Sequence, residues 1–214
     1  MEVVEEIIAH LFGDVRSLRT CSLTCYSWYI ASVPHLHRVL FIEPNSWNRK
    51  LRWPNPLLRM HALGLLPLVK TLWIRGYNDS DVFSSKRLNR CILRRFCALN
   101  HVQQLMIDYL DTASFVPRIR RYFGHFMPTV QYLSLKEPRG SRRQIIYFIG
   151  LFQHLGNLRL LSNGAYAQDE PVDDLTLIPP FAPPLRGYLI VTCFTRVGLL
   201  KDMIELFGGI RSIF

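Results

Sequence analysis

The hydrophobic positions at the start of the chain follow a helical period. Val3, Val4, Ile7, Ile8 and Leu11 recur at i, i+1, i+4, i+5 and i+8, with Glu2, Glu5, Glu6 and His10 on the other side, which predicts an amphipathic helix. A break at Gly13-Asp14 precedes a second run, Val15, Leu18, Cys21, Ser22 and Cys25, and a third short segment around Trp28 is expected to end at Pro34. Three helices this small carry more apolar surface than they can cover internally, and a unit of that size rarely holds itself together alone. Its surplus apolar face is expected to meet the rest of the chain or another protein.

A polar, proline-broken connector follows, from Pro44-Asn45-Ser46 through Trp53-Pro54-Asn55-Pro56, and beyond it the period changes to two. Val69-x-x-Leu72-x-Ile74 recurs as Val102-x-x-Leu105-x-Ile107, Val130-x-x-Leu133-x-Leu135 and Leu155-x-x-Leu158-x-Leu160, with a looser copy at Leu189-x-Val191 preceded by Leu185. The second positions step by 33, 28, 25 and 31 residues. Each copy alternates like a short strand with one buried face. Between copies lie helical stripes: Leu88, Cys91, Ile92, Phe96 and Leu99; Phe115, Ile119, Tyr122, Phe123 and Phe126; Ile145, Phe148, Ile149, Phe152 and Leu155; Val197, Leu200, Met203, Ile204 and Phe207. Strand then helix at this period predicts an irregular leucine-rich-repeat-like solenoid, in which neighbouring units bury one another's apolar faces. The slot three positions after the last strand Leu, often Asn or Cys in such repeats, holds Asn163 once and otherwise Tyr77, Leu110, Pro138 and Phe194. The interval 163–184, rich in Asp and Pro, is expected to be an extended loop. Ile210-x-x-Ile213-Phe214 reads as the opening of a further copy, so the array is expected to be incomplete at its C-terminus.

Composition narrows the function. Apolar residues make up 49% of the 214, ample for a core, and no apolar run approaches the ~20 residues that span a bilayer. No secretory signal precedes the acidic first helix, so the expectation is a soluble protein of the cytoplasm, the nucleus or both. Five cysteines without framework spacing read as free thiols. Cys21, Cys25, His35 and His37 supply a competent zinc set, but their spacing fits no familiar finger and the cysteines share the Leu18 stripe, so helix packing is the expectation. No phosphate loop, calcium loop or nucleophile elbow appears, so neither catalysis nor a cofactor is expected.

The net charge of +10 is uneven: residues 1–46 carry −2 and residues 47–214 carry +12. Arg87, Arg90, Arg94, Arg95, Arg118, Arg121, Arg142 and Arg143 fall opposite the apolar stripes, as a solvated helical face or a surface for acidic partners. No recognised nucleic-acid module accompanies them, so nucleic acid is not the expected partner.

Cys21-Ser22-Leu23-Thr24-Cys25-Tyr26-Ser27-Trp28 after a short helix, followed by His35-Leu36 and Val39-Leu40-Phe41-Ile42, resembles an F-box. The variant is the fungal, basidiomycete-type one, with a Cys-Ser-Leu-x-Cys-x-x-Trp core before a His-Leu-x-x-x-Leu-Phe strand. Where the family usually opens its first helix with Leu-Pro, this chain has Met1-Glu2. The resemblance implies an α/β protein with an F-box-like head over 1–43, a connector over 44–68 and leucine-rich-repeat-like units over 69–214. It implies docking to the Skp adaptor, and through it to cullin, in a Skp–cullin–F-box ubiquitin ligase, with the repeats holding a protein substrate. The adaptor-contact candidates are Val3, Val4, Ile7, Leu11, Leu18, Cys21, Ser22 and Cys25, with Trp28 pinning the helices together. Two alternatives stay open: a basic solenoid that binds nucleic acid or another polyanion, and a degenerate F-box paralogue with no ligase partner.

Overall fold

The period-two segments form a six-stranded, all-parallel sheet in the computed structural model, which describes residues 2–42, 56–75, 94–110, 112, 122–162 and 187–193. The strands are β1 (Val39–Ile42), β2 (Thr71–Arg75), β3 (Gln104–Asp108), β4 (Tyr132–Lys136), β5 (Asn157–Ser162) and β6 (Leu189–Cys193), neighbours in chain order. Successive residues of a strand face opposite sides. Leu40, Leu72, Leu105, Leu133, Leu158 and Leu189 therefore form one row across the sheet. Ile42, Ile74, Ile107, Leu135, Leu160 and Val191 hold the next row of the register. From β1 to β5 both rows are buried. The strand read as the tail of the N-terminal unit is thus the first member of the sheet.

The first four of the five junctions, from β1 to β5, each begin with one carbonyl serving two donors. Arg38 O accepts from the N–H groups of Lys70 and Thr71 at 2.8 and 3.0 Å, and Lys70 O from those of Gln103 and Gln104 at 2.8 and 3.0 Å. Gln103 O accepts from Gln131 and Tyr132 at 2.8 and 3.0 Å, and Gln131 O from Gly156 and Asn157, both at 2.9 Å. A carbonyl has two lone pairs, and here both are used. At the other end, Tyr109 and Glu137 share a register slot and a left-handed backbone, φ 59° and 50°. Their N–H groups donate to Lys136 O and Leu161 O, each at 2.7 Å. Beyond them, the turn after β3 pairs with the turn after β4: Arg139 N–H donates to Leu110 O at 2.6 Å and Thr112 N–H to Arg139 O at 3.0 Å. Main-chain pairing between turns does there what an Asn side chain would otherwise do, and Leu110 is free to enter the core.

The connections close one face of the sheet. Residues 44–68, expected as a connector, contain helix α4 (Pro56–Ala62), whose Leu57 and Met60 enter the core. Pro56 suits a first helical turn, and Gly64 (φ 67°) supplies the left-handed residue just after its last one. Short 3₁₀ turns, Leu66–Leu68 and Met127–Thr129, carry Pro67 and Pro128 and lead into Val69 and Val130. The stripe expected as a helix around Phe96 is a 3₁₀ segment, Arg94–Ala98, in its described part. The stripe Ile145, Phe148, Ile149, Phe152 and Leu155 is fully buried and begins in helix α5 (Arg142–Ile149), opened by a capping box between Ser141 and Gln144. Phe96, Phe123 and Phe126 stack edge to face at 5.1 and 4.7 Å, as do Phe148 and Phe152 at 5.2 Å. Residues 88–92, 115, 119, 163–184 and 194–214 of the sequence reading lie outside the described residues.

Three helices precede β1: α1 (Glu2–His10), α2 (Val15–Ser22) and α3 (Tyr26–Leu36). Gly13 turns the chain with φ 97°. Asp14 caps α2, accepting the Arg16 and Ser17 N–H groups at 3.1 Å each and the Ser17 hydroxyl at 2.6 Å. The Ser17 hydroxyl and N–H, with the Arg16 N–H, hold its carboxyl below the ordinary carboxylate range. Two expectations are corrected. The second run does not reach Cys25: Thr20 and Ser22 hydroxyls donate to Arg16 O and Arg19 O, competing with the backbone, and α2 stops at Ser22. Cys25 is instead the extended N-cap of α3, off the Cys21 face. Helix α3 also runs past Pro34 to Leu36, because a proline in the last turn removes only one donor.

Leu133 lies on an interior strand with no exposed surface. Leu133→Ala is expected to cost about 2–5 kcal/mol in urea unfolding. His37, the C-cap of α3, has its pKa lowered from 6.5, first by burial and then by the Arg59 charge on α4. Below that ordinary value the unfolded chain takes up the proton before the folded chain does. Its contribution is therefore intact above pH 6.5 and lost as pH falls through the lowered folded-state value. Thermal midpoints measured from pH 8 to pH 5 are expected to drop more steeply for the wild type than for His37→Gln.

Candidate functional site

The three-helix unit buries little of its own apolar surface. Ile8, Leu18 and Ser32 are its buried residues before β1, and none of them belongs to the core cluster under the sheet. Ser32 is satisfied internally, its hydroxyl donating to Trp28 O at 2.7 Å. Leu23, at the α2–α3 turn, is 86% exposed, Tyr26 at the start of α3 77% and Val3 69%. Ile7, Val15, Tyr29 and Ile30 are exposed as well. Exposed apolar residues scattered singly need no explanation, but this many on a unit of about forty residues make it a candidate contact surface.

The eight sequence candidates divide. Val3, Ile7 and Cys25 are exposed; Val4, Leu11, Cys21 and Ser22 are half-buried. Leu18 is 1% exposed and packs inside the unit, so it is a core residue and has no surface to offer a partner. Trp28 is half-buried. The sequence reading missed Leu23, Tyr26, Tyr29 and Ile30. The signal for them was present: Leu23 lies just past the last turn of α2, and Tyr26, Tyr29 and Ile30 share one face of α3 at i, i+3 and i+4. Cys21, Cys25 and Cys97 are free thiols, and among the described residues no three His, Cys, Asp or Glu side chains are grouped as a metal site would require.

A second surface is the face of the sheet opposite the core. Phe41 and Trp73 meet edge to face at 5.1 Å on β1 and β2, with Met106 next in their row on β3. Tyr132 and Tyr188 approach at 6.3 Å. Asp108, largely buried, accepts the Trp73 Nε1–H at 3.2 Å and lies 4.0 Å from Arg75 Nε. Lys136 and Arg159 stand exposed on β4 and β5. Of the expected basic set, Arg94 and Arg143 are exposed and Arg95 is half-buried. Arg87, Arg90, Arg118 and Arg121, with the Arg142 side chain, lie outside what is described.

Among the described residues no helix is long and apolar enough to cross a membrane. Comparison with protein-family models, with curated proteins and with solved structures finds no match to this chain.

Burial separates core from surface within the helical unit. Leu18→Asp, which forces a carboxylate into its interior, is expected to cost several kcal/mol and to remove amide exchange protection from α1–α3. Val3→Asp is expected to leave stability within about 0.5 kcal/mol.

Proposed function

We propose that the chain is the substrate receptor of a Skp–cullin–F-box ubiquitin ligase. Its N-terminal helices act as an F-box-like head that docks the Skp adaptor, and its parallel sheet acts as a leucine-rich-repeat-like solenoid that holds a target protein. The chain has no chemistry of its own in this reading: ubiquitin transfer belongs to other subunits, and the work is done in the cytoplasm or nucleus.

The observation that carries the reading is the disparity between the two parts. The sheet encloses a continuous core built from its own connections, whereas the head buries two large aliphatic side chains and leaves Leu23, Tyr26 and Val3 mostly bare. Burying a Leu or Val side chain contributes roughly 1.5–3 kcal/mol, so a few such residues hold a partner after ordering costs are subtracted. The Cys21 to Trp28 motif and its resemblance to the F-box name the partner that fits.

Affinity capture with purified Skp adaptor tests it. Leu23→Asp with Tyr26→Asp changes only exposed positions, so the fold is expected to persist. Adaptor retention is expected to fall more than tenfold, the loss of about 2 kcal/mol that a central contact carries. Undiminished capture by a folded double variant removes the docking claim.

A further inference from the structure

We propose that the open face of the sheet binds an extended, acidic segment of a partner protein, anchored by one large apolar residue. The inference rests on the substrate-receptor reading and names the chemistry of what is received. Parallel sheets are usually covered on both sides. Here one side is closed by the core, while on the other Val39, Arg75, Gln104, Lys136 and Arg159 reach solvent. Along one row this face presents Phe41, Trp73, Met106, Ser134 and Arg159, from β1 to β5. Trp, Tyr, Met and Arg are the residues enriched at protein interfaces. Trp73 is set in place by the Asp108 carboxylate on its indole N–H, and Ser134, small and buried, leaves a low floor between Met106 and Arg159.

Charge decides the partner. The face carries Arg75, Lys136 and Arg159 against Asp108. Asp108 is committed to Arg75 and Trp73, which leaves Lys136 and Arg159 without an ionic partner among the described residues. Two such cations complement two carboxylates. They neutralise too few phosphates to hold a nucleic acid, whose affinity grows with the number of charges paired. Strands are about 4.8 Å apart and Lys136 lies two residues along β4 from the Trp73 row, so Trp73 on β2 is about 12 Å from the β4 cation and about 14 Å from that on β5. An extended peptide rises about 3.4 Å per residue. A chain crossing the strands therefore comes within reach of both cations about three to four residues from an apolar side chain seated on Phe41 and Trp73.

Fluorescence anisotropy on the full-length protein tests this with two pools of fluorescein-labelled decapeptides. Both fix Phe at one position; one fixes Asp and Glu three and four residues on, the other Asn and Gln, with the remaining positions randomised. The acidic pool is expected to bind at least tenfold more tightly. Lys136→Gln with Arg159→Gln is expected to abolish that preference with an unchanged circular dichroism spectrum, and Trp73→Leu to weaken both pools. Equal binding of the two pools, or a preference that survives the double substitution, overturns the proposal. So does tighter binding of single-stranded poly(dT) than of the acidic pool, or self-association of the chain through the same residues. The adaptor is absent from the measurement, so failure here leaves adaptor capture standing, and failed capture leaves a positive peptide result standing.

Discussion

The fold depends on two aliphatic side chains per strand being held in a single register. Leu72, Leu105, Leu133 and Leu158 lie side by side, with Ile74, Ile107, Leu135 and Leu160 one pleat further along, and none of them works without its neighbours. A strand's faces alternate residue by residue, so a slip of one position would turn both core residues outward and bring residues such as Trp73 and Arg159 in. The main chain guards against that slip. Each strand from β1 to β4 starts where the carbonyl before it is already bound by two N–H groups of the next, so these registers are pinned at their origin. Stability is then shared between neighbours, as expected for a stack in which each unit touches mainly the next.

Much of this was legible in the residues. The Val-x-x-Leu-x-Ile spacing marks the buried positions directly, because a period of two on a half-buried strand admits few other readings. The first helix and its partition into Glu-rich and aliphatic sides were equally plain, as was the buried stripe from Ile145 to Leu155. What was hidden had physical causes. Helix α4 begins at the end of the polar, proline-broken run of residues 44–56, and its two core residues, Leu57 and Met60, are too few to show a period. The segment around Phe96 has a helical spacing, yet in so short a span a 3₁₀ turn places Phe96 and Leu99 on one side just as well. The end of α2 turned on hydroxyls that rival the backbone, which a hydrophobic count does not register.

The candidate site was legible in kind and only partly in detail. An apolar surplus on the helical head followed from its size, but which side chains carry it depends on how the helices pack, and that moved Leu18 inside and Leu23, Tyr26 and Tyr29 outside. The open face of the sheet was implicit in every alternate residue of the repeats, although the pairing of Trp73 with Asp108 spans 35 residues and no local pattern foretells it. Exposed apolar side chains on the head, and exposed rings and cations on the sheet, are the two surfaces to which the proposed function assigns a fixed and a variable partner.

The carbonyl that binds two N–H groups at the junctions from β1 to β5 has a consequence for which substitutions the sheet admits. Because these links use main-chain atoms alone, they are indifferent to the side chains that the same residues display. Proline is barred from Lys70, Thr71, Gln103, Gln104, Gln131 and Tyr132, since each must donate. Nearly any other residue is admissible there. The side chains displayed at these positions can therefore be exchanged while the spine, held by backbone alone, stays put.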